Sequence, residues 1–313
     1  MAQRPQEIAP DVFHVTISIA NIYMVRSPAS GWVLIDTGIP GHTLDILSAA
    51  HACFGGAPPA AILLTHGHFD HAGNAADLSD YWDVPVFAHP LEIPYLTGKS
   101  SYPPFDPTTP GFMAFLSRFF PNRTFDLGSR VLLLDSDTPG LPDWQWRHTP
   151  GHSPGHVSFF RSADATLIAG DAITTMNLDS PLAIAIKKRR VSRPPTPFTC
   201  DWSAARDSVR LLANLMPLTL AAGHGTPMFG EKAYRQLEDL AWHFPMPSHG
   251  RYVNEPARTD DSGIVSLPPP APDAFPIIAT GLGLAAVTAA MLAIAARRRK
   301  QRNTEPPALY GIT

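Results

Sequence analysis

Apolar residues fall in short runs along most of this chain, separated by Gly, Pro, Asn and Asp. VFHVTISI at 12–19 and IYMV at 22–25 read as two strands, and WVLID at 32–36 as a buried strand ending in the turn Asp36-Thr37-Gly38. Leu44, Ile46 and Leu47 in an Ala-rich setting predict a helix over 43–53, stopped by Gly55-Gly56. AILLT at 61–65 is the next strand. A helix over 72–82, a strand PVFAH at 85–89 and a helix starting near Pro90 follow. Further strands are predicted at 131–135, 144–148, 157–160, 166–170 and 218–223, with helices over 201–215 and 231–244. Two β-rich halves that each bring helices predict an α/β fold, a four-layer αββα sandwich with the sheets inside.

Two segments depart from this alternation. Between 98 and 121, Pro103, Pro104, Pro107 and Pro110 precede GFMAFLSRFF, whose phenylalanines lie near helical spacing. This stretch is either a surface helix packed on the core or one wall or lid of a substrate pocket. At the other end, a Pro-rich stretch leads into residues 274–296, which carry no charge. At about 1.5 Å per residue these would span roughly 34 Å, enough for a hydrocarbon core of about 30 Å, and they predict a C-terminal transmembrane helix. The expected domains are a globular body at 1–244, a Pro-rich linker or C-terminal extension at 245–273, the membrane helix at 274–296 and a basic tail at 297–313.

The charge balance changes the picture once the tail is set aside. The chain has 24 basic and 27 acidic residues; Arg297, Arg298, Arg299, Lys300, Arg302 and Glu305 lie in the tail, which leaves 19 against 26 in the body. A net-acidic body argues against a nucleic-acid enzyme, whose phosphate contacts call for a basic face. Within it, Lys187, Lys188, Arg189, Arg190 and Arg193 form one basic run, either a solvated loop or a reader of an anionic substrate tail or acidic lipid. Cys53 and Cys200 sit in no paired motif and read as ordinary core or surface residues.

The chemistry is concentrated directly after the strand AILLT, in His66-Gly67-His68-Phe69-Asp70-His71. Three imidazoles and a carboxylate in six residues crowd polar groups whose desolvation only a metal would offset. Gly67 is expected to let the backbone bend between the first two candidate ligands. TPGHSPGH supplies His152 and His156 in a turn, LIAGD places Asp171 at a strand end, and LAAGHG places His224 at another. Each is unremarkable singly. Together they complete a two-metal set at strand-to-loop junctions, where rigid sheets aim side chains into one cleft.

This ordered set, H-x-H-x-D-H followed by His, Asp and His, resembles the metallo-β-lactamase superfamily, and the TPGHSPGH and AGD segments look most like its glyoxalase II branch. The resemblance covers roughly residues 13–229. It implies that His66, His68 and His152 bind a first zinc, that Asp70, His71 and His224 bind a second, and that Asp171 bridges them. His156 has no ligand place in that pattern and is expected to be supporting or structural, and Asp36 to hydrogen-bond a ligand imidazole. Two Zn2+ are the default cofactors for His-rich ligation, and iron or manganese suit the same residues.

The implied activity is metal-dependent hydrolysis of a small-molecule substrate. A bridging hydroxide would attack a thioester, lactone or similar ester carbonyl, with Asp70 and Asp171 closest to the chemistry. A mononuclear iron oxidoreductase of the persulfide dioxygenase type and a β-lactam hydrolase are the alternatives. The absence of a charged start and apolar run at the N-terminus speaks against a secretory signal. The expected location is therefore a single-pass membrane protein, held by the C-terminal helix, with its catalytic body facing the cytoplasm.

Overall fold

Period-two alternation sorts the side chains of each strand to opposite faces, and three separate cores result. The computed structural model describes residues 4–120, 125–273 and 275. The chain divides into Met1–Ala271 and Pro272–Thr313, and the fold below is that of the first part. Its first sheet has seven strands in chain order: β1 (Gln6–Ala9), β2 (Val12–Ile17), β3 (Ala20–Ser27), β4 (Gly31–Ile35), β5 (Ile62–Leu63), β6 (Val86–Ala88) and β7 (Val131–Leu133). On β3 and β4, Ile22, Met24, Trp32 and Leu34 face one core, and Tyr23, Val25, Val33 and Ile35 face another.

The outer core of this sheet is closed by α1 (Thr43–Phe54) and α2 (Ala75–Trp82), through Ile46, Ala49, Ala75 and Leu78. The predicted helix over 72–82 starts three residues late for a physical reason. The Asn74 side chain donates to the carbonyls of Thr37 (2.6 Å) and Ile39 (2.8 Å), holding the preceding residues in a loop against the Asp36 turn. Past β6, the chain makes a single turn over Pro90–Glu92, a short α3 (Ile93–Leu96) and, in the Phe-rich insertion, a six-residue α4 (Phe112–Ser117).

The second sheet is built from β8 (Gln145–His148), β9 (Val157–Arg161) and β10 (Thr166–Ile168), then, after the hairpin of β11 (Thr174–Met176) and β12 (Arg189–Ser192), from β13 (Thr219–Ala221) and β14 (Met228–Phe229). Its order is β14-β13-β10-β9-β8. A short α5 (Pro181–Ala185) lies within the β11–β12 connection. The longer helices α6 (Trp202–Asn214) and α7 (Gly230–Trp242) cover the outer face through Val209, Leu212, Leu237 and Leu240. Asp201 caps α6, its carboxylate accepting the Ala204 N–H at 2.9 Å.

Between the sheets, Tyr23, Val33, Ile35 and Leu63 from the first meet Val157, Phe159, Ile168 and Ala221 from the second. Helix, sheet, sheet, helix is the four-layer αββα arrangement. The Tyr23 hydroxyl crosses the gap to donate to the Ala222 carbonyl at 2.7 Å. Because β4 and β5 run parallel, as do β10 and β13, their carboxyl ends emerge along one edge of each sheet. Residues 245–271 return across the insertion: the Tyr252 hydroxyl donates to the Pro104 carbonyl (2.8 Å) and the Ile264 N–H to Ser100 Oγ (3.2 Å). The cysteines are free, Cys200 buried and Cys53 half-buried.

One expectation is corrected. Among the described residues no helix is long and apolar enough to cross a membrane. Among the described residues the fold class is therefore the sandwich without a transmembrane helix, and the single-pass membrane location drawn from that helix is not supported. The run at 274–296, Phe275 excepted, lies outside the described residues, as does the basic tail. Its freedom from charge was the ground for the expectation, yet the run is rich in Ala and Gly, which bring little apolar surface per residue.

Phe159 is fully buried in the inter-sheet core. Phe159→Ala is expected to lower unfolding stability by about 3–5 kcal/mol, read as a fall in the urea midpoint with an unchanged slope; a loss under about 1 kcal/mol would mean that the two sheets do not depend on this contact.

Candidate metal centre

Four strand ends and one loop deliver the cluster. The chain leaves β5 into Thr65 and the segment 66–71, leaves β8 into the turn carrying His152, leaves β10 into Asp171 and leaves β13 into His224. Ring nitrogens of His66, His68 and His152 form one group, Asp70, His71 and His224 a second, and His66, His71 and Asp171 a third, with donor atoms in each within 4.8 Å of one another. Asp171 lies between the first two groups: Oδ2 is 3.5 Å from His152 Nε2 and 3.2 Å from His224 Nε2, and Oδ1 is 3.6 Å from His71 Nε2. The Asp70 carboxylate is 3.3 Å from His224 Nε2. All seven candidate residues thus share one cleft.

Three of the rings, those of His66, His71 and His224, are aimed by their other nitrogen. His71 Nδ1 is 2.9 Å from Asp36 Oδ2, while the Asp36 carboxylate also accepts the Thr65 N–H and hydroxyl, both at 2.8 Å. His224 Nδ1 is held by the Ile19 carbonyl at 2.8 Å and His66 Nδ1 by Thr65 Oγ1 at 3.0 Å. His156 does not enter the cluster with a free nitrogen. Its Nε2 accepts the Asp171 backbone N–H at 2.8 Å and its Nδ1 meets Thr149 Oγ1 at 2.9 Å, so it sets the position of Asp171.

The cluster fits a cation. His68 Nδ1 is 3.1 Å from His66 Nε2 and 2.9 Å from His152 Nε2, so three ring lone pairs converge where one shared proton can serve only one of the two contacts. His71 Nε2 and Asp171 Oδ1 are buried without a hydrogen-bond partner. Burial pushes His66 and His152 well below the ordinary imidazole range and His68 down to about 4, keeping them neutral donors. Burial also opposes charge on His71 and His224. There the carboxylates prevail: Asp171, Asp70 and Asp36 hold His71 well above its usual value, and Asp171 with Asp70 lifts His224 to about 10. Asp171, against its own burial, is held well below the carboxylate range by His224 and His71. The site draws positive charge to the faces where its carboxylates point.

Two features escaped the sequence reading. Glu92 is fully buried and accepts four hydrogen bonds: from Ser153 Oγ (2.8 Å) and the Gly155 N–H (2.7 Å) on one oxygen, and from the Gly67 N–H (3.0 Å) and the Tyr102 hydroxyl on the other. It ties the loop of His66 and His68 to the loop of His152. The Tyr102 ring then packs edge-on against His68, with centroids 4.5 Å apart. An acid between Leu91 and Ile93 was its only signal in the sequence. The second feature corrects the role of Gly67. Close approach, rather than a bent backbone, requires glycine there: a Cβ would stand 2.6 Å from the Tyr102 hydroxyl and 2.7 Å from Leu96. Gly223 is constrained the same way, with a Cβ 2.1 Å from Asp171 Oδ1.

Residues 15–224 match the model of the metallo-β-lactamase superfamily. The chain belongs to that superfamily. It is 42% identical over 241 residues to "Probable metallo-hydrolase YflN" of Bacillus subtilis, covering 75% of this chain and 91% of that one. It is 30% identical over 112 residues to hydroxyacylglutathione hydrolase GloC of Haemophilus influenzae, covering 36% of this chain and 49% of that one. A beta-lactamase domain protein from Burkholderia ambifaria shares the fold with a TM-score of 0.55, at 19% identity over 77% of this chain and 76% of that one. As a superfamily member with metallo-hydrolase relatives, this chain is a metallo-β-lactamase-fold hydrolase whose His/Asp cluster suits a dinuclear metal site.

Because Glu92 braces both loops, Glu92→Ala is expected to weaken metal binding by about 10–100-fold, the usual cost of losing an outer partner of a metal site. Chelator competition on protein whose thermal unfolding remains cooperative reads this directly, and unchanged affinity would show that the loops hold themselves.

Proposed function

We propose that this hydrolase cleaves a thioester or related ester of a small molecule at a two-metal centre. His66, His68 and His152 would hold one ion, Asp70, His71 and His224 the other, with Asp171 shared. The observation that carries this reading is the pair of buried, partnerless atoms, His71 Nε2 and Asp171 Oδ1, set 3.6 Å apart between two groups of donors. Two divalent cations supply a water of lowered pKa and a Lewis acid for a carbonyl oxygen. The residues fit several metals alike, and the complete second group, Asp70, His71 and His224, favours two ions over one.

The protein's own groups define the rest of the reaction. Among the described residues lining the cleft there is no Ser, Thr or Cys; nearby, burial pushes the Cys200 thiol up, and the Ser153 hydroxyl is spent on Glu92. Water is then the nucleophile. Asp70, whose side chain keeps 14% exposure beside nearly buried neighbours, is the carboxylate best placed to accept a hydrogen bond from it. Although burial works against its charge, His71 and His224 lower its pKa, so it stays an acceptor. His68, Asp70, His152, Asp171 and His224 line a narrow cavity whose other walls are Phe69, Met113, Phe120, Leu178 and Phe198. Met113 and Phe120 come from the Phe-rich insertion, which supports its reading as a pocket wall that excludes water and seats an apolar acyl chain. The name of the GloC relative points to thioesters for that protein, and the same bond class is proposed here.

Elemental analysis of wild type beside Asp171→Ala, with turnover of a panel of thioesters, lactones and phosphodiesters on the same samples, tests this. Expected are about two metal ions per chain and thioester or ester turnover, both lost in the variant, with the activity falling beyond the 10–100-fold of an outer-partner loss. A metal-free wild type, or a metal-loaded one that cleaves none of the panel, sinks the proposal.

A further inference from the structure

A second chamber of about 310 Å³ adjoins the metal cleft and shares Leu178 and Pro195 with it. The two cavities differ in charge. Among the described residues no Lys or Arg lines the metal cleft, whereas Arg190 and Arg193 line the chamber. Arg193 is already committed. It donates to Asp179 Oδ2 at 2.9 Å and to the Pro245 carbonyl at 2.5 Å, and its guanidinium lies 5.5 Å from the centroid of Trp202. Asp179, the one acidic residue among those lining the chamber, is paired with Arg193 and accepts the Thr196 hydroxyl at 2.8 Å, both through Oδ2.

Arg190 is different. It sits on β12, a strand fixed by pairing with β11 and by the Val191 N–H, which donates to the Gln236 side chain at 3.2 Å. Its guanidinium makes no hydrogen bond or ion pair among the described residues. Arg190 is itself exposed, as are Lys187, Lys188 and Arg189 before it on the same connection, in a body that is otherwise net acidic. A cation beside the irregular step of the β11–β12 pairing, without a hydrogen bond or ion pair among the described residues at a chamber of ligand size and reinforced by neighbours of like sign, raises the local concentration of anions and offers them a planar donor fork.

We propose that the chamber binds an anionic group, a carboxylate or a phosphate, carried by the part of the substrate remote from the scissile carbonyl, with Arg190 as its donor. This rests on the hydrolase reading. The carbonyl sits in the aromatic cleft at Asp70 and Asp171, the chain passes Leu178 and Pro195, and the charge ends at Arg190. Arg190 is a specificity-determining residue and takes no part in bond cleavage.

The test uses three thioesters with one acyl group, whose thiol portions end in a carboxylate, a phosphate or a neutral amide, assayed with metal-loaded wild type, Arg190→Ser and Arg190→Lys. The expected result is a lower wild-type KM for the anionic members. In Arg190→Ser that KM should rise roughly tenfold with kcat unchanged, while the neutral member is unaffected and Arg190→Lys recovers part of the loss. The larger shift, on carboxylate or on phosphate, names the natural group. Equal KM for charged and neutral members in wild type, or an equal change of both in Arg190→Ser, overturns the proposal. Calorimetric titration of the uncleavable carboxylate thioether against wild type and Arg190→Ser reads the same contact without turnover. Absence of turnover with charge-dependent binding sinks only the hydrolase reading, whereas binding that ignores Arg190 sinks this one.

Discussion

Asp171 is a buried carboxylate that two groups of imidazoles approach from opposite sides, and most of the molecule's constraints can be traced to holding it there. Its backbone N–H is fixed by His156, its Oδ1 leaves no room for a side chain at position 223, and its Oδ2 faces both His152 and His224. A charge in this setting is costly to bury. Positive charge is drawn to it: although burial opposes their charge, Asp171 and Asp70 raise the pKa of both His71 and His224, and the same carboxylates suit a cation.

The two sheets divide the work of assembling this centre. The first supplies Asp36, which orients His71, and the segment 66–71 at the end of β5; the second supplies Asp171 and His224 at the ends of β10 and β13, and His152 in the turn after β8. Neither sheet holds a complete donor group alone: each group takes two donors from the segment 66–71 and its third, His152, Asp171 or His224, from the second sheet. Packing between the sheets therefore sets the donor distances. The contacts that cross the gap lie close to the ligands: the Tyr23 hydroxyl and the Asn21 amide both bind the Ala222 carbonyl, two residues from His224, and Glu92 joins the two loops. A protein interior at crystal-like density transmits small shifts, so loosening the inter-sheet core moves donors as well as lowering stability.

Short-range information made much of this legible. Run length and turn residues located ten strands of the two main sheets and the four longer helices, and a dense local motif at 66–71 declared itself because six residues carry four donors. His152, Asp171 and His224 could be assembled only as an ordered set, since each alone is compatible with a turn or a cap. What stayed hidden depends on contacts distant in sequence. Glu92 reaches Ser153 and Gly155 across more than sixty residues, and the Ile19 carbonyl orients His224 across about two hundred. The β1 edge and the β11–β12 hairpin were missed as well, being short and polar. The transmembrane expectation failed in the opposite way. A composition rule was applied to a run whose surroundings it could not weigh, and the described fold supplies no membrane-crossing helix.

An asymmetry remains between the two ends of the cleft, and it bears on how such a centre discriminates between substrates. A two-metal site is chemically permissive, since the same donors suit several bonds, so selection must come from what the cleft touches beyond the reacting atoms. On this chain the walls next to the donors are phenylalanine, methionine and leucine, delivered partly by an insertion that packs under residues 245–271. The adjoining chamber mixes leucine, valine and proline with polar side chains and carries an arginine with no hydrogen bond or ion pair among the described residues. Apolar contact rewards an added methylene only modestly, whereas a donor left unpaired, or a charge left without a partner, discriminates more sharply. On the proposed reading, affinity for the acyl chain falls to the aromatic wall and the choice between substrates of similar size to the basic strand. The two functions lie on separate elements, α4 and β12, which sequence change can alter independently without disturbing the donors at the strand ends.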